Sequence, residues 1–255
     1  LRIIGDAGAG KFGMGRDDLR RAADLAAGSP HLALRGLHRF GASNVTDASR
    51  LVEHARTAVA LARELLVGRT APGGEGPLVD LGGGLGIPYA DDEPELDLAA
   101  LGRGLAEVHA EGVASGLPGL RLLIEPGRYL LGPAGCYLTR VVDRKSVEGV
   151  EVAVLDGGIH HALRPALVGQ PHRTVALGRG PVAPAPGTGT GAGVRVTLAG
   201  PLCTGLDLLG SGPSTVVPEL GDLVSGSRPP RADQWRSGAV PGRRGPRTPG
   251  GRPVR

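Results

Sequence analysis

Residues 78–86 read Leu-Val-Asp-Leu-Gly-Gly-Gly-Leu-Gly, an apolar stretch that leads directly into a cluster of glycines. We expect a strand over Leu78–Leu81 and a turn over Gly82–Gly86. Consecutive glycines allow backbone N–H groups to approach a phosphate, since no Cβ blocks the way. The dinucleotide-binding pattern Gly-x-Gly-x-x-Gly is incomplete, because Ile87 and Tyr89 occupy the position of the third glycine in its two registers. A phosphate site and a purely structural turn therefore both remain open.

On both sides of this stretch, short apolar runs alternate with segments whose apolar residues recur three and four positions apart. Further strands are expected over Leu1–Ile4, Ala33–Phe40 and Arg121–Leu131, and helices over Asp17–Ala27, Asp47–Leu66 and Leu98–Ser115. Alternating strands and helices form a parallel sheet. Four such units make about half of an eightfold barrel, which binds ligands at the carboxyl ends of its strands. We therefore assign residues 1–132 to a partial TIM-like (β/α)8 barrel.

After Gly132 the pattern changes to strands without long helices. These strands are expected over Cys136–Arg144, Val150–Leu155, Arg195–Leu198 and Leu220–Val224. We assign residues 133–225 to a C-terminal antiparallel β domain, so that the fold class is α/β plus all-β. Two segments carry too little apolar surface to order themselves. They are a flexible loop over Gly178–Gly193 and a basic, disordered tail over 226–255, rich in Arg, Pro and Gly.

The charge of the chain is concentrated in that tail. The formal net charge is +4, yet residues 226–255 contain eight Arg and one Asp, so the remainder is slightly acidic. The tail lacks interleaved aromatic residues and a folded nucleic-acid module, so we expect no nucleic acid as partner. No apolar run reaches the length of a membrane span, and the two cysteines are too few for a disulfide scaffold. These features favour a cytoplasmic protein without membrane contact.

Two motifs place polar residues at predicted strand ends. Glu125 ends a strand and is followed by Pro126-Gly127-Arg128, and His38 lies in Gly-Leu-His-Arg-Phe-Gly-Ala-Ser, which ends at Ser43. A Glu–Arg surface pair and a packed or capped histidine are the plain structural interpretations. For the glycine turn Gly82–Gly86, by contrast, its position at the carboxyl end of a barrel strand favours ligand contact.

Two further motifs lie in the predicted β domain. Gly200-Pro-Leu-Cys203-Thr204-Gly-Leu-Asp207 follows an apolar strand, and a buried thiol with a turn carboxylate is the ordinary outcome for such a pair. The stretch 156–167 contains the adjacent histidines His160 and His161. Neighbouring residues on a strand point to opposite faces, and no second ligand pair follows at helical spacing, so we expect no metal.

Taken together, these motifs resemble those of the ornithine/diaminopimelate/arginine decarboxylase family, a group IV, fold type III family that uses pyridoxal 5'-phosphate (PLP). The resemblance is nearest to the branch that acts on aminoacyl groups held on acyl carrier proteins. It implies a PLP-binding barrel, amino-acid decarboxylation and a homodimer with shared active sites.

The resemblance also implies roles for individual residues. In the cofactor site, Glu125 faces the pyridine nitrogen, His38 stacks on the ring, and a set of residues lines the phosphate and its surroundings: Ser43, Gly82, Gly83, Gly84, Gly127 and Arg128. In the substrate site, Cys203 and Asp207 act from the partner subunit. The residues expected to contact substrate are Arg128, Arg164 and Thr204. Because relatives that bind a distal amino group often have an acidic residue after the cysteine, Thr204 favours a substrate whose far end is uncharged.

One residue that the family requires has no counterpart. Catalysis in this family begins from a lysine bound to the cofactor, and the chain has only Lys11, in a different motif, and Lys145, in a predicted hairpin. In relatives this lysine precedes the segment matching Leu1. We therefore expect an incomplete chain that does not turn over alone. A remnant that retains dimerisation or carrier-protein docking is the alternative, and Glu125 disfavours a racemase.

Overall fold

Two sheets organise the chain. A computed structural model describes residues 12–69, 76–89, 93–132, 134–169, 174–182 and 193–226. Within these ranges, the first sheet contains three parallel strands in the order β1-β2-β3, formed by Gly36–His38, Leu78–Asp80 and Arg121–Leu123. Because His38 pairs with Asp80 and Asp80 with Leu123, the three strands end at the same level.

Helices cover the first sheet, and their starts follow from local side-chain chemistry. The helices are α1 Arg16–Gly28, α2 Ala48–Leu66, α3 Leu98–Ala114 and α4 Gly127–Leu131. Asp47 caps α2 by accepting a hydrogen bond from the Ser49 N–H at 2.9 Å, and Asp97 caps α3 through the Ala100 N–H at 2.9 Å. The three long helices confirm the helical predictions to within one residue at each end.

Small residues let α2 and α3 pack closely against each other and the sheet. In α2, Ala55, Ala58 and Ala62 are fully buried. In α3, a Cβ on Gly104 would lie 2.4 Å from the Val52 side chain, so only glycine fits there. The resulting apolar core joins these helices to the middle strand, and its most buried large members are Leu66, Val79, Val108 and Leu117.

The prediction of one strand over Arg121–Leu131 was wrong after Leu123. The chain leaves the sheet, and Pro126 stands immediately before the short helix α4. Proline has no N–H for a parallel ladder, and its fixed φ suits the start of a helix. The predicted strand Leu1–Ile4 lies outside the described residues.

The second sheet has seven strands in the order β7-β6-β10-β4-β5-β8-β9 within the described ranges. Its members are β4 Tyr137–Val147, β5 Val150–Leu155, β6 Thr174–Ala176, β7 Gly180–Val182, β8 Val194–Ala199, β9 Leu208–Ser214 and β10 Leu223–Gly226. A short helix, α5, covers Arg164–Val168. Glu148 and Gly149, both with positive φ, form the tight turn between β4 and β5.

This sheet is mixed rather than antiparallel throughout. β5 and β8 run parallel, with Val150 opposite Arg195, whereas the other pairs are antiparallel. A parallel pair requires a crossover of a dozen residues or more. The segment between β5 and β8, which contains α5, β6 and β7, provides it. The predicted β domain is confirmed, but its description as antiparallel was wrong for this pair.

Three strands were not predicted, namely β6, β7 and β9. β7 lies within the predicted flexible loop Gly178–Gly193, so that prediction was wrong for residues 180–182, and residues 183–192 lie outside the described residues. The predicted tail over 226–255 also lies outside them, except for Gly226 at the end of β10. The core of this domain includes Leu155, Val196, Leu198 and Val224. None of the described helices is long and apolar enough to cross a membrane.

Core packing around α2 makes a testable prediction. Leu66→Ala should lower the free energy of unfolding by about 2–5 kcal/mol, because Leu66 is only 2% exposed and its truncation leaves a cavity. Urea denaturation monitored by circular dichroism measures this loss. Leu25→Ala in α1 is the matched control, since Leu25 is 75% exposed and its truncation should change the free energy by less than about 0.5 kcal/mol. Equal losses in the two variants would contradict the described core.

Candidate functional site

The aligned strand ends bring three titratable side chains together. His38 ends β1, Asp80 ends β2, and Glu125 follows β3 by two residues. Their ligand atoms all lie within 4.8 Å of one another, and His38 Nε2 lies 3.8 Å from Glu125 Oε2. The first sheet therefore unites two of the predicted site residues, His38 and Glu125. We call these three side chains the strand-end cluster.

Asp80 was not predicted as a site residue. Its Oδ1 accepts a hydrogen bond from the Gly82 N–H at 2.8 Å, so it shapes the glycine-rich turn as well as joining the cluster. Its position in the sequence could have indicated this role, because Asp80 is a carboxylate at the end of a predicted strand, just before the glycines. Together the three side chains offer the donor types that a divalent metal accepts, although the sequence analysis expected no metal.

The turn Gly82–Gly84 is packed against the backbones of both neighbouring segments. A Cβ on Gly83 would lie 2.5 Å from the Glu125 carbonyl oxygen, and one on Gly84 would lie 2.1 Å from the Ala42 carbonyl oxygen. Gly82 and Gly84 also have φ of +67° and +96°, a region that favours glycine. The turn needs glycines for this close approach, and Ser43, which follows Ala42, lies on the same rim.

Phe40 is a second neighbour of the turn that was not predicted. A Cβ on Gly82 would lie 3.0 Å from Phe40 Cδ2 and 3.2 Å from His38 Nε2. An aromatic ring and an imidazole therefore border the same glycine. Nothing in the local pattern separates Phe40 from an ordinary apolar residue of a strand, and its contact becomes visible only when β1 and β2 are paired.

Arg128 and Arg164 converge on Tyr89 from different domains. The guanidinium carbons of Arg128, in α4, and Arg164, in α5, lie 6.0 and 5.8 Å from the centre of the Tyr89 ring. Arg128 Nη1 is buried and has no hydrogen-bond partner among the described residues. These two predicted substrate residues thus belong to one positively charged region. Gly127, which precedes Arg128, has open space where a Cβ would lie.

The loop with Cys203 is held from beneath by Asp207. Cys203 and Thr204 are exposed, whereas Asp207 is only 2% exposed. Its Oδ1 accepts from the Ile159 N–H at 2.7 Å and its Oδ2 from the Leu202 N–H at 2.8 Å. Both carboxylate oxygens are therefore committed to the backbone. The buried carboxylate thus holds the loop that presents Cys203, and the catalytic role expected for Asp207 stays a prediction.

Asp207 also connects this loop to the adjacent histidines. Ile159 precedes His160 and His161, which lie in a turn and not on a strand, so the argument that they point to opposite faces was wrong. Their rings lie with centres 3.9 Å apart and planes tilted by 49°, and His161 Nδ1 lies 3.0 Å from the Tyr137 hydroxyl. Within the described part of the chain, no hydrogen bond joins the Cys203 loop to the strand-end cluster.

The two lysines lie apart from the strand-end cluster or outside the described structure. Lys145 is exposed on β4, opposite Val152 of β5, which confirms the predicted hairpin. Lys11 lies outside the described residues.

A glycine-rich turn, a carboxylate and an imidazole lie together at the carboxyl ends of parallel strands, the edge at which folds of the TIM-barrel class bind ligands. Residues 5–132 match the family model described as pyridoxal-dependent decarboxylase, pyridoxal binding domain. The match covers just over half of the chain, which therefore belongs to the pyridoxal-dependent decarboxylase family. The cofactor of this family is PLP.

Two relatives extend the match into the β domain. The L-glutamyl-[BtrI acyl-carrier protein] decarboxylase of Niallia circulans is 30% identical over 217 residues, which cover 84% of this chain and 49% of the relative. The diaminopimelate decarboxylase of Neisseria meningitidis serogroup A is 33% identical over 216 residues, which cover 85% of this chain and 48% of the relative. The chain thus spans about half the length of these relatives.

A solved structure confirms the fold class. The crystal structure of diaminopimelate decarboxylase from Helicobacter pylori complexed with L-lysine superposes with a TM-score of 0.67 and 21% identity, covering 86% of this chain and 49% of that one. The fold is that of part of a PLP-binding barrel followed by a β domain.

The turn of glycines makes a testable prediction. Gly84→Ala should lower the free energy of unfolding by at least about 2 kcal/mol, because the new Cβ would meet the Ala42 carbonyl oxygen at 2.1 Å and strain a φ of +96°. Thermal and urea denaturation check this. Gly102→Ala is the control, since nothing lies within 4 Å of its Cβ position in α3, and it should stabilise by about 0.5–1 kcal/mol. A neutral Gly84→Ala would contradict the packing of the turn.

The anchoring role of Asp207 makes a second prediction. Asp207→Asn should lower the free energy of unfolding by about 1–3 kcal/mol, because the amide keeps one acceptor and turns an NH2 group toward a backbone N–H. The same substitution should speed alkylation of Cys203, measured by mass spectrometry with Cys136→Ser as background. Asp143→Asn is the control, because Asp143 is exposed on β4 and bonds only its neighbour Arg144 among the described residues. Identical stability of the two variants would refute the anchor.

Proposed function

We propose that this chain forms the ring and phosphate portion of a PLP-dependent amino-acid decarboxylase. The observation that carries the proposal is the placement of Glu125 and His38 at the strand ends, beside the tightly packed turn Gly82–Gly84. PLP, when bound, supplies an electron sink that lets the α-carboxylate of an amino acid leave as CO2. The residues of the chain bind and orient the cofactor and the substrate, and they supply the protons that the reaction needs.

Glu125 is suited to hold a proton on the pyridine nitrogen. A carboxylate next to a basic ring nitrogen favours its protonated form, which strengthens the electron sink. His38 lies 3.8 Å from this carboxylate and borders Gly82 together with Phe40. We assign to His38 the stacking role on one face of the ring, and to Phe40 an apolar wall beside it.

Gly82–Gly84 and Ser43 are suited to bind the phosphate. Gly83 and Gly84 are only partly buried, so their main chain is partly accessible to a ligand, and Ser43 adds a hydroxyl beside Ala42, which contacts the turn. Gly127 leaves space beside the site, and Arg128 contributes positive charge from a guanidinium nitrogen without a partner among the described residues. Arg128 and Arg164 together attract the negative groups of substrate or phosphate.

Cys203 is suited to return a proton to the substrate carbon after CO2 leaves. The thiol is exposed, and Asp207 fixes its loop from beneath. Because the resembled family uses this cysteine in the active site of the other subunit, we place Cys203 in the site of a partner subunit. A homodimer follows from that arrangement, with Thr204 next to the thiol on the substrate side.

The substrate that we favour is an aminoacyl group held on an acyl carrier protein, with a diaminopimelate-like amino acid as the broader class. Thr204 provides no charge for a distal amino group. The relative from Niallia circulans, named as an acyl-carrier protein decarboxylase, supports this choice. Two free, exposed cysteines, Cys136 and Cys203, fit a reducing compartment such as the cytoplasm.

A non-catalytic protein is the second candidate, and the observation behind it is the setting of the two lysines in this sequence. Lys145 is exposed on a hairpin and Lys11 belongs to a different motif, so neither matches the lysine that attaches the cofactor in this family. In that case the chain retains dimerisation or carrier docking and does not turn over alone.

Equilibrium titration of the full chain with PLP tests the proposal. Wild type should bind PLP, and Glu125→Gln should bind it about tenfold more weakly, because one charged contact to the ring is lost. Glu107→Gln is the matched control, since Glu107 is exposed on α3. Borohydride reduction followed by peptide mapping then reports whether Lys11 or Lys145 is modified.

The outcomes separate the two candidates. A stoichiometric adduct at one lysine, with weaker binding by Glu125→Gln alone, supports a decarboxylase with a relocated lysine. Reversible binding without an adduct supports the cofactor site but not turnover by this chain. Failure of wild type to bind PLP overturns the cofactor site and leaves the remnant.

A further inference from the structure

His54 lies behind the loops that form the strand-end site. It is a half-buried residue of α2, and Gly41 lies directly against its ring. A Cβ on Gly41 would lie 2.5 Å from His54 Nδ1 and 2.7 Å from Cε1, so the ring occupies the space of that side chain. The helix thereby brings an imidazole into contact with the backbone between His38 and Ser43.

The partners of the imidazole define its tautomer. Nε2 lies 2.9 Å from the Arg39 carbonyl oxygen and 3.2 Å from the Leu81 carbonyl oxygen. A carbonyl only accepts, so Nε2 carries the proton and donates to both. Nδ1 contacts Arg39 Nη1, and a guanidinium only donates, so Nδ1 is the acceptor. Both sides of the ring therefore require the neutral form with hydrogen on Nε2.

The two carbonyls belong to the two segments that build the site. Arg39 follows the last residue of β1, and Leu81 follows the last residue of β2. Beyond them, the chain continues into Phe40–Ser43 and into Gly82–Gly84. His54 thus ties these segments together at the level where they leave the sheet.

We propose that His54 is a positioning residue of the cofactor site, which in its neutral form holds the segment Arg39–Ser43 against the segment Leu81–Gly84. The inference rests on the proposed PLP site, because it is the spacing of these segments that places His38, Phe40 and Ser43 around the glycine turn. His54 acts through the backbone and touches neither cofactor nor substrate.

Protonation of His54 would break this arrangement. A hydrogen on Nδ1 would face the Arg39 guanidinium, and the charged ring would be half-buried. Burial lowers the pKa of His54 most, and the neighbouring Arg39 guanidinium and His38 ring lower it further, against the raising effect of the two carbonyls. These are the charged and titratable groups that face the ring from the β1 side, while the β2 side presents the Leu81 carbonyl.

The sign of the pH effect follows from that direction. A histidine with a lowered pKa in the folded chain binds its proton more readily when the loops open. The stabilisation of the two segments by His54 is therefore complete above the pKa of a free histidine, about 6.5. It is lost as the pH falls below about 6.5 toward the lower pKa that His54 has in the folded chain.

Hydrogen exchange with the full chain, with and without PLP, tests the proposal. His54→Leu removes both hydrogen bonds and should increase exchange in residues 39–43 and 81–84 and weaken PLP binding by about tenfold at pH 7.5. His54→Gln keeps an N–H donor that does not titrate. This variant should keep the protection of residues 39–43 and 81–84 from hydrogen exchange, and its PLP binding, at pH 7.5. Unlike wild type, it should also keep both when the pH falls from 7 to 5. Nitrogen-15 spectra of wild type should show hydrogen on His54 Nε2.

His109 provides a matched control. It lies on α3 and its Nε2 lies 2.8 Å from the Leu120 carbonyl oxygen, which precedes β3 at the opposite end of the strands. His109→Leu should lower stability without changing exchange in residues 39–43 and 81–84 or PLP binding. A general loss of folding would affect both histidine variants alike.

These measurements test the role of His54 separately from the proposed PLP site. If wild type does not bind PLP, the proposed function fails. Hydrogen exchange of the two segments and the nitrogen-15 spectra still show whether His54 holds the segments together. If hydrogen resides on Nδ1, or if His54→Leu leaves exchange of the two segments at the wild-type level, the role of His54 is refuted. A pH dependence that persists in His54→Gln also refutes it.

Discussion

The site depends on main-chain contact between segments that follow neighbouring parallel strands. The turn after β2 touches the Ala42 carbonyl on one side and the Glu125 carbonyl on the other, at distances that admit no side chain. The segments meet because the three strands end at the same level. Small residues in α2 and α3 let these helices pack closely beside the strands. The position of any ligand at this edge of the sheet therefore depends first on the distances between these main-chain segments, and only then on the side chains that they carry.

The sequence was sufficient where local chemistry decides the structure. α2 and α3 follow from capping carboxylates and regular apolar spacing, and their ends were predicted closely. Where partners far apart in the chain decide, the sequence was insufficient. β6, β7 and β9 are short or contain glycine and proline, so they show little alternation, and pairing with neighbouring strands makes them strands.

The same distinction holds for the site. Glu125 and His38 were identifiable from motifs that carry a family resemblance, and the aligned strands bring them together. Asp80 and Phe40 were missed because their contacts exist only across paired strands. The family resemblance implied a catalytic role for Asp207, and the sequence could not reveal that both of its oxygens accept backbone hydrogen bonds in the interior.

Tyr89 lies close to side chains of both domains. One guanidinium comes from the barrel side and the other from the β domain, and the ring lies close to both. A rotation of the β domain against the barrel would move Arg164 relative to the ring, whereas Arg128 belongs to the same domain as Tyr89 and would stay in place. The separation of the two guanidinium groups, and with it the positive potential of this region, therefore depends on the angle between the domains.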